Sequence, residues 1–130
     1  MYQKAVIIFL RIAIGIGFLS ASADRFGFWP EKYTSWGNME TFSEYTQKLN
    51  PWVSEILINP IAWIVTILEI ILGILLIVGF KIKLTAMVSG ILLLIFALAM
   101  SFSTGIKSAF DASVFSASAA AFALSVMSRK

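Results

Sequence analysis

Residues Ile61 to Gly79 read IAWIVTILEIILGILLIVG, nineteen residues with a single charge, Glu69, at the middle. About twenty apolar residues at 1.5 Å rise cross the hydrocarbon core of a bilayer, so this stretch predicts a membrane-spanning helix. An ionised carboxylate at that depth costs roughly 2.5 to 3.5 kcal/mol on insertion scales, unless it faces other helices and meets a partner. The rest of the chain is therefore expected to bring a partner to Glu69.

The composition of the chain is that of an integral membrane protein. Of its 130 residues, 59% are hydrophobic and 13% are charged, and the mean hydropathy is +0.90. Soluble domains carry about 25% charged residues. We expect one compact unit over residues 1–130, without a second domain. The net charge of +3 does not predict a nucleic-acid partner, because the basic residues lie at the ends of apolar runs.

The chain contains no cysteine and no histidine. Disulfide exchange, and zinc or haem ligation through the usual residues, are therefore excluded, and we expect no metal site. No cofactor is expected to be held by ligands of this chain. A redox role would need a diffusible cofactor, such as a quinone, or a centre in a partner protein.

Four apolar runs predict an all-α bundle of four transmembrane helices. The predicted spans are residues 5–23, 61–79, 84–102 and 109–127. The first run ends in Ala21-Ser22-Ala23, which imitates a signal-peptidase site, so a cleaved signal is the competing interpretation. Arg11 interrupts that run where a signal peptide is most apolar, and we interpret the run as a retained helix.

Small residues recur every four positions in the first and the fourth span. Such stripes allow another helix to approach closely. They consist of Ala13, Gly17 and Ala21 in the first span and of Ser113, Ala117, Ala121 and Ser125 in the fourth. We therefore predict tight packing along most of the fourth span.

The segment 24–60 between the first two spans is an outer loop rich in aromatic residues. Asn38 is a suitable N-cap for a short amphipathic helix, and Asn50-Pro51 is expected to end it. Tryptophan and tyrosine gather at membrane interfaces without any ligand, so the aromatic residues alone do not predict a binding site. The prediction is a short helix on the membrane surface.

The distribution of lysine and arginine predicts the orientation in the membrane. One side carries basic residues and no acid, whereas the other mixes both signs. The basic side contains Lys4, Lys81, Lys83, Arg129 and Lys130. The positive-inside rule then predicts that both termini are cytoplasmic and that the aromatic loop lies outside, in a bacterial plasma membrane.

The charges within the spans define the candidate site. Arg11 is the one other charge of comparable depth and is the predicted partner of Glu69. The two residues differ in depth by about 6 Å at 1.5 Å per residue. Helical side chains lean toward their own N-termini, so in antiparallel helices these two would lean apart. A pair that only fixes helix register is the alternative. Asp24, Arg25, Lys107 and Asp111 are expected at the outer mouth, either as a neutralised ring or as solvated helix ends.

The segments Leu10–Ser20 and Ala23-Asp24-Arg25-Phe26-Gly27, with Trp36-Gly37-Asn38 and the Glu69 to Gly73 stretch, resemble the DoxX family. This resemblance covers nearly the whole chain, and the Ala-Asp-Arg-Phe-Gly element is its most specific part. It implies a four-helix membrane protein, similar to the small subunit of thiosulfate:quinone oxidoreductase. The wider group includes redox accessory subunits and receptors or chaperones for other membrane proteins.

Three functions follow as hypotheses. The first is an accessory subunit that binds a quinone, or a similar hydrophobic molecule, in an outward-facing pocket between spans one, two and four. The second is a small transporter or channel that uses Glu69, and the third is an assembly or interaction protein without catalysis. Expected partners are membrane lipid, a redox partner protein and a second copy of the chain. The predicted ligand-binding residues are Arg11, Asp24, Arg25, Trp36, Tyr45, Glu69 and Asp111.

Overall fold

The computed structural model describes residues 2–128, and the regular elements in that range are six helices. They are α1 (Gln3–Arg25), α2 (Met39–Leu49), α3 (Glu55–Val78), α4 (Ile82–Ser103), α5 (Ile106–Asp111) and α6 (Val114–Met127). Three of them, α1, α3 and α4, are long and apolar enough to cross a membrane. The protein is an all-helical, multi-pass membrane protein. Arg129 and Lys130, used above to predict orientation, lie outside the described residues.

The predicted fourth span, residues 109–127, is divided in the structure. Ser113 adopts a left-handed backbone conformation with φ of +58°, which a residue with a side chain rarely occupies. The helix therefore stops at Asp111 and restarts at Val114, leaving α6 with 14 residues. A four-position stripe of small residues gives no signal for such a break, so the sequence predicted a continuous helix.

The predicted second span begins earlier than expected. The structure starts α3 at Glu55, six residues before Ile61, and the helix continues through Pro60. Proline lacks a backbone N–H and so removes one hydrogen bond from the helix. Pro60 is exposed and lies in the second turn of α3. The sequence prediction began at Ile61, where the uninterrupted apolar run begins, and so placed the boundary too late.

The antiparallel helices α1 and α3 touch through two glycines. A Cβ atom on Gly15 would lie 2.8 Å from the Ile77 side chain and 3.0 Å from the Gly73 carbonyl oxygen. A Cβ atom on Gly73 would likewise lie 3.0 Å from the carbonyl oxygen of Gly15. The backbones are therefore in direct contact, and the register pairs position 15 of α1 with position 73 of α3.

Small residues of α6 bring it close to α4, as the fourth-span stripe predicts. The Ser118 hydroxyl donates to the Gly90 carbonyl oxygen at 2.8 Å, and the Ser125 hydroxyl donates to the Lys83 carbonyl oxygen at 2.8 Å. Gly90 has no room for a side chain, since its Cβ atom would lie 2.9 Å from the Phe122 ring. Backbone contact of this kind is how helices associate where lipid removes the hydrophobic driving force.

The small stripe of α1 behaves differently from that of α6. Gly17 has no heavy atom within 4 Å of the position that a Cβ would take, and both Ala13 and Gly17 are exposed. The glycine that packs against α3 is Gly15 instead. At Gly17 the stripe of α1 therefore leaves space beside the helix.

Residues 26–54 form a cap over one end of the helices. Asn38 is the N-cap of α2, and its Oδ1 accepts the Thr41 backbone N–H at 2.8 Å, while Asn50 follows the last residue, Leu49. The apolar face of α2 buries Phe42, Thr46 and Leu49, and α2 contacts α3 and α4. The amphipathic helix thus packs its apolar face on the bundle, and its position on the membrane surface stays a prediction. We call this the cap end and the Gly79–Lys81 turn the hairpin end.

Candidate functional site

The last two residues of α1, Asp24 and Arg25, are buried under the cap together with Glu69 of α3. Arg25 is 2% exposed and Glu69 is 3% exposed. Charged side chains at such burial require partners, because desolvating an unpaired charge costs several kcal/mol per ion. The partners come from α1, α3 and the cap, which makes this cluster the meeting point of all three.

Arg25 is the partner of Glu69. Its Nη1 forms a hydrogen-bonded ion pair with Glu69 Oε2 and also donates to the Thr66 hydroxyl at 2.9 Å. The guanidinium carbon lies 3.5 Å from the centroid of the Phe42 ring and 5.0 Å from that of Trp36. A cation over aromatic faces is attracted by the ring quadrupole. Arg25 thereby joins α3 to two aromatic residues of the cap.

The predicted pair between Arg11 and Glu69 does not form. Arg11 Nε donates to the Leu76 carbonyl oxygen at 2.9 Å, and its Nη2 donates to that of Ile77 at 3.0 Å. The Gly15–Gly73 register places Arg11 opposite position 77, eight residues or about 12 Å from Glu69. Arg11 leans toward the hairpin end and Glu69 toward the cap end, because helical side chains point to their own N-termini. Arg25 also leans toward the hairpin end, but it starts on the cap side of Glu69, so the two side chains lean toward each other.

Asp24 holds the loop of the cap that precedes α2. Its carboxylate accepts the Thr34 hydroxyl and the backbone N–H groups of three residues of the loop. The N–H donors are Ser35 at 2.8 Å, Gly37 at 3.3 Å and Trp36 at 3.4 Å. Successive N–H groups that converge on one anion form a concave anion site. Here the protein's own carboxylate occupies that site, so Asp24 and Arg25 together clamp the cap to the bundle.

An apolar cavity of about 720 Å³ lies beneath the cap. Its walls come from α1, α3, α4 and α6, and the cap closes one end with Trp36 and Tyr45. Arg25 and Glu69 also line that end. The cavity differs from the predicted pocket in that α4 forms part of the wall, through Phe96 among others.

Four of the seven predicted site residues, Arg25, Trp36, Tyr45 and Glu69, line this cavity. The structure places the other three elsewhere: Arg11 lies toward the hairpin end, Asp24 faces the cap loop, and Asp111 is exposed. The predicted ring of four charges is therefore absent among the described residues. Asp111 instead pairs with Lys107, whose Nζ lies 2.8 Å from Asp111 Oδ2 on the surface of α5.

Tyr45 contributes the one titratable hydroxyl of the cap that lines the cavity. Burial raises the pKa of the Tyr45 phenol above its ordinary value. The hydroxyl therefore remains protonated at physiological pH, as a donor or an acceptor. Its ring packs beside Trp36, with centroids 5.9 Å apart.

Two residues of the cluster were missed by sequence reasoning. Thr66 lies three positions before Glu69 and thus on the same face of α3, a spacing that could have identified it. Phe42 lies on the buried face of α2, and no sequence signal predicts that Arg25 stacks on it. In both cases the information lies in the packing of the cap on the bundle.

A family model described as "Methylamine utilisation protein MauE" matches residues 3–127 of the chain. The chain belongs to the MauE family. The resemblance to DoxX was therefore wrong. The element on which it rested, Ala23 to Gly27, contains the Asp24–Arg25 clamp. No curated protein and no solved structure matches this MauE-family chain.

Proposed function

We propose that this MauE-family chain is an accessory membrane protein of methylamine utilisation that acts through interaction or assembly and not as a catalyst. The observation that carries the proposal is the clamp. Asp24 and Arg25 attach the cap to the bundle through side-chain and backbone contacts to both. A cap held in this way offers a partner a preformed surface, which lowers the entropy lost on binding.

The state of the buried charges favours interaction over transport or acid–base catalysis. Glu69 is bound by Arg25, and Asp24 by donors of the cap loop. A carboxylate that relays protons or binds an ion has to exchange partners during its cycle. Removing either carboxylate from its partner would instead strand a buried charge and release the cap, so these groups are suited to a structural task.

The exposed side of the cap carries large aromatic residues. Phe28, Tyr33 and Trp52 are 79%, 66% and 59% exposed. Aromatic residues are enriched at protein interfaces, where they supply much contact area from few rotatable bonds. We propose that this surface contacts a protein of methylamine utilisation outside the cytoplasm.

The orientation is tested by labelling single cysteines, since the natural chain has none. We expect a membrane-impermeant thiol reagent added to intact cells to label Glu40→Cys in the cap. Gln3→Cys, Ile82→Cys and Ser128→Cys should react only after the membrane is opened. Labelling of Ile82→Cys from outside would reverse the orientation and place the cap in the cytoplasm.

The function is tested in a strain that grows on methylamine as its nitrogen source and lacks this gene. We expect wild type to restore growth and the triple variant Phe28→Ser, Tyr33→Ser, Trp52→Ser to fail at an equal level in the membrane. The matched control, Ile64→Ala with Ile71→Ala, alters exposed residues of α3 and should restore growth. Full growth with the triple variant would exclude the cap as the interaction surface.

A photo-crosslinking residue at position 33 provides a second readout. We expect an adduct with an identified protein of methylamine utilisation, and none from position 64. If deletion of the gene leaves growth on methylamine unchanged, the proposed role in that process is wrong.

A further inference from the structure

The charges of the chain are divided unevenly between its two ends. All seven acids lie on the cap side of the Gly15–Gly73 contact. On the hairpin side, the part of the chain that the structure describes contains basic residues and no acid. These basic residues are Lys4, Arg11, Lys81 and Lys83. The hairpin end is therefore a positive surface that attracts anions.

Arg11 is held in one place at this end and still has a free donor. Its Nε and Nη2 donate to the carbonyl oxygens of Leu76 and Ile77 at 2.9 and 3.0 Å. Gly79 packs against the guanidinium, since a Cβ atom there would lie 2.5 Å from Nη2. Nη1 has no hydrogen-bond partner within residues 2–128 and, unlike Arg25 Nε, it is accessible at the surface. An immobilised guanidinium with an accessible N–H edge is suited to binding a phosphate oxygen.

Two lysines lie on the same side of the hairpin end as this guanidinium. Lys4 precedes Arg11 by seven positions, or two helical turns, and so lies on the same face of α1. The Gly15–Gly73 register places Gly79 opposite position 9, so Lys4 lies about 7.5 Å beyond the hairpin turn along α1. Lys81 is exposed and follows Gly79 by two residues. We call Lys4, Arg11 and Lys81 the hairpin cations.

The surface beside the hairpin cations is apolar and exposed. Ile8, about one turn from Arg11, is 43% exposed, and Phe9 is 70% exposed. Val78 and Phe80, on either side of Gly79, are 70% and 55% exposed. A free anion or an acidic protein segment would use the charges alone and leave these side chains uncovered. A phospholipid uses both, because it places a phosphate next to hydrocarbon chains.

We propose that the hairpin cations bind the phosphate of an anionic phospholipid, whose acyl chains cover the exposed apolar side chains of α1 and α3. A zwitterionic phospholipid adds a positive charge beside the cations and therefore binds more weakly. The inference goes beyond the proposed function, because this site lies at the end opposite the cap. Loss of lipid binding and loss of growth on methylamine are accordingly separate results.

The test removes two lysines and leaves the contacts between α1 and α3 unchanged. The variant is Lys4→Gln with Lys81→Asn, since asparagine suits the φ of +45° at position 81. The matched control, Lys32→Gln with Lys48→Gln, removes the same charge from exposed residues at the cap end. Each protein is purified in mild detergent, stripped of lipid and titrated with dioleoylphosphatidylglycerol or dioleoylphosphatidylcholine. Native mass spectrometry then measures the apparent Kd of the first bound lipid.

We expect wild type and the cap-end control to bind phosphatidylglycerol at least tenfold more tightly than phosphatidylcholine. The Lys4→Gln, Lys81→Asn variant should bind phosphatidylglycerol at least tenfold more weakly than wild type, since each basic residue near the head groups contributes roughly fivefold. Equal binding of the two lipids by wild type, no binding of phosphatidylglycerol, or equal losses in the variant and the control would overturn the proposal.

Two single variants distinguish a defined site from the overall positive charge of this end. Lys83→Gln should lower the affinity less than threefold, because Lys83 Nζ is directed to α6, 3.5 Å from the Ser125 carbonyl oxygen. Arg11→Lys keeps the charge but loses the N–H edge, and should lower the affinity at least threefold. Wild-type affinity in Arg11→Lys, or an equal loss in Lys83→Gln and Lys81→Asn, would overturn the defined site. Displacement of the lipid by millimolar inorganic phosphate would overturn the assignment to a phospholipid.

Discussion

Two arginines of α1 contact α3, one at its middle and one in its last turns, and they do so by different means. Arg11 and Arg25 are fourteen positions apart, close to four helical turns, so both face α3. Arg11, partly exposed, donates to backbone carbonyl oxygens in the last turns of α3. Arg25, buried, pairs with a side-chain carboxylate.

The difference shows what each end of the bundle requires. Carbonyl oxygens near a helix C-terminus lack helical partners, and a basic side chain satisfies them and the helix dipole without an acid. At the cap end the carboxylate of Glu69 is already inside the bundle, and only a cation can stabilise it there. Arg11 therefore completes a helix end, whereas Arg25 makes a buried acid tolerable.

The largest expected effect comes from breaking the pair at the cap end. Glu69→Ala leaves Arg25 buried without its counter-ion and should lower the free energy of unfolding by about 3–5 kcal/mol. Glu69→Gln keeps a hydrogen-bond acceptor and should fold with a smaller loss. Unfolding in detergent, followed by helix content, measures both.

A double-mutant cycle sharpens this result. Glu69→Ala and Arg25→Ala should show strong coupling, and Glu69→Ala and Arg11→Ala none, because residues without shared partners act additively. Coupling between Arg11 and Glu69 would contradict the separation of the two ends described above.

An intermediate effect is expected where α1 and α3 touch between the two arginines. Gly73→Ala forces a methyl group to within 3.0 Å of the Gly15 carbonyl oxygen and should destabilise by about 1–3 kcal/mol. Gly17→Ala, on the open stripe of the same pair of helices, is the control and should be close to neutral. Similar losses for both would mean that Gly15 and Gly73 do not set the register.

The smallest effect is expected at the hairpin end. Arg11→Ala removes two hydrogen bonds, but water and lipid head groups can reach the carbonyl oxygens that it leaves. We expect a loss of about 1 kcal/mol in the free energy of unfolding, near the net value of ordinary hydrogen bonds. A loss as large as that of Glu69→Ala would show that Arg11 also stabilises a buried group.

Much of the fold could be predicted because helices in a membrane need long apolar runs. The runs containing Arg11, Glu69 and Gly90 are each long enough to span a bilayer, and each is a helix of that length. The break at Ser113 and the passage through Pro60 could not be predicted, because local backbone preferences are weak beside tertiary packing. Asn38 and Asn50 predicted the ends of α2 because capping is local chemistry.

The site was harder to predict than the fold. Glu69 was evident as a buried acid in need of a partner, but depth along two separate runs does not fix their register. Once the Gly15–Gly73 contact is known, the direction in which helical side chains point indicates that Arg25, and not Arg11, is the partner of Glu69. Asp24 could be identified as unusual, yet its donors belong to a loop whose path no periodicity describes.

The break at Ser113 has a consequence for the surrounding bilayer. A helix of 14 residues is about 21 Å long, whereas the hydrocarbon core is about 30 Å thick. Lipids beside a short apolar helix adapt by thinning locally, at a cost of fractions of a kcal/mol per Å. The exposed Lys107–Asp111 pair next to this helix keeps polar groups on that side. We therefore expect the bilayer to be thinner beside α6 than beside the three longer helices.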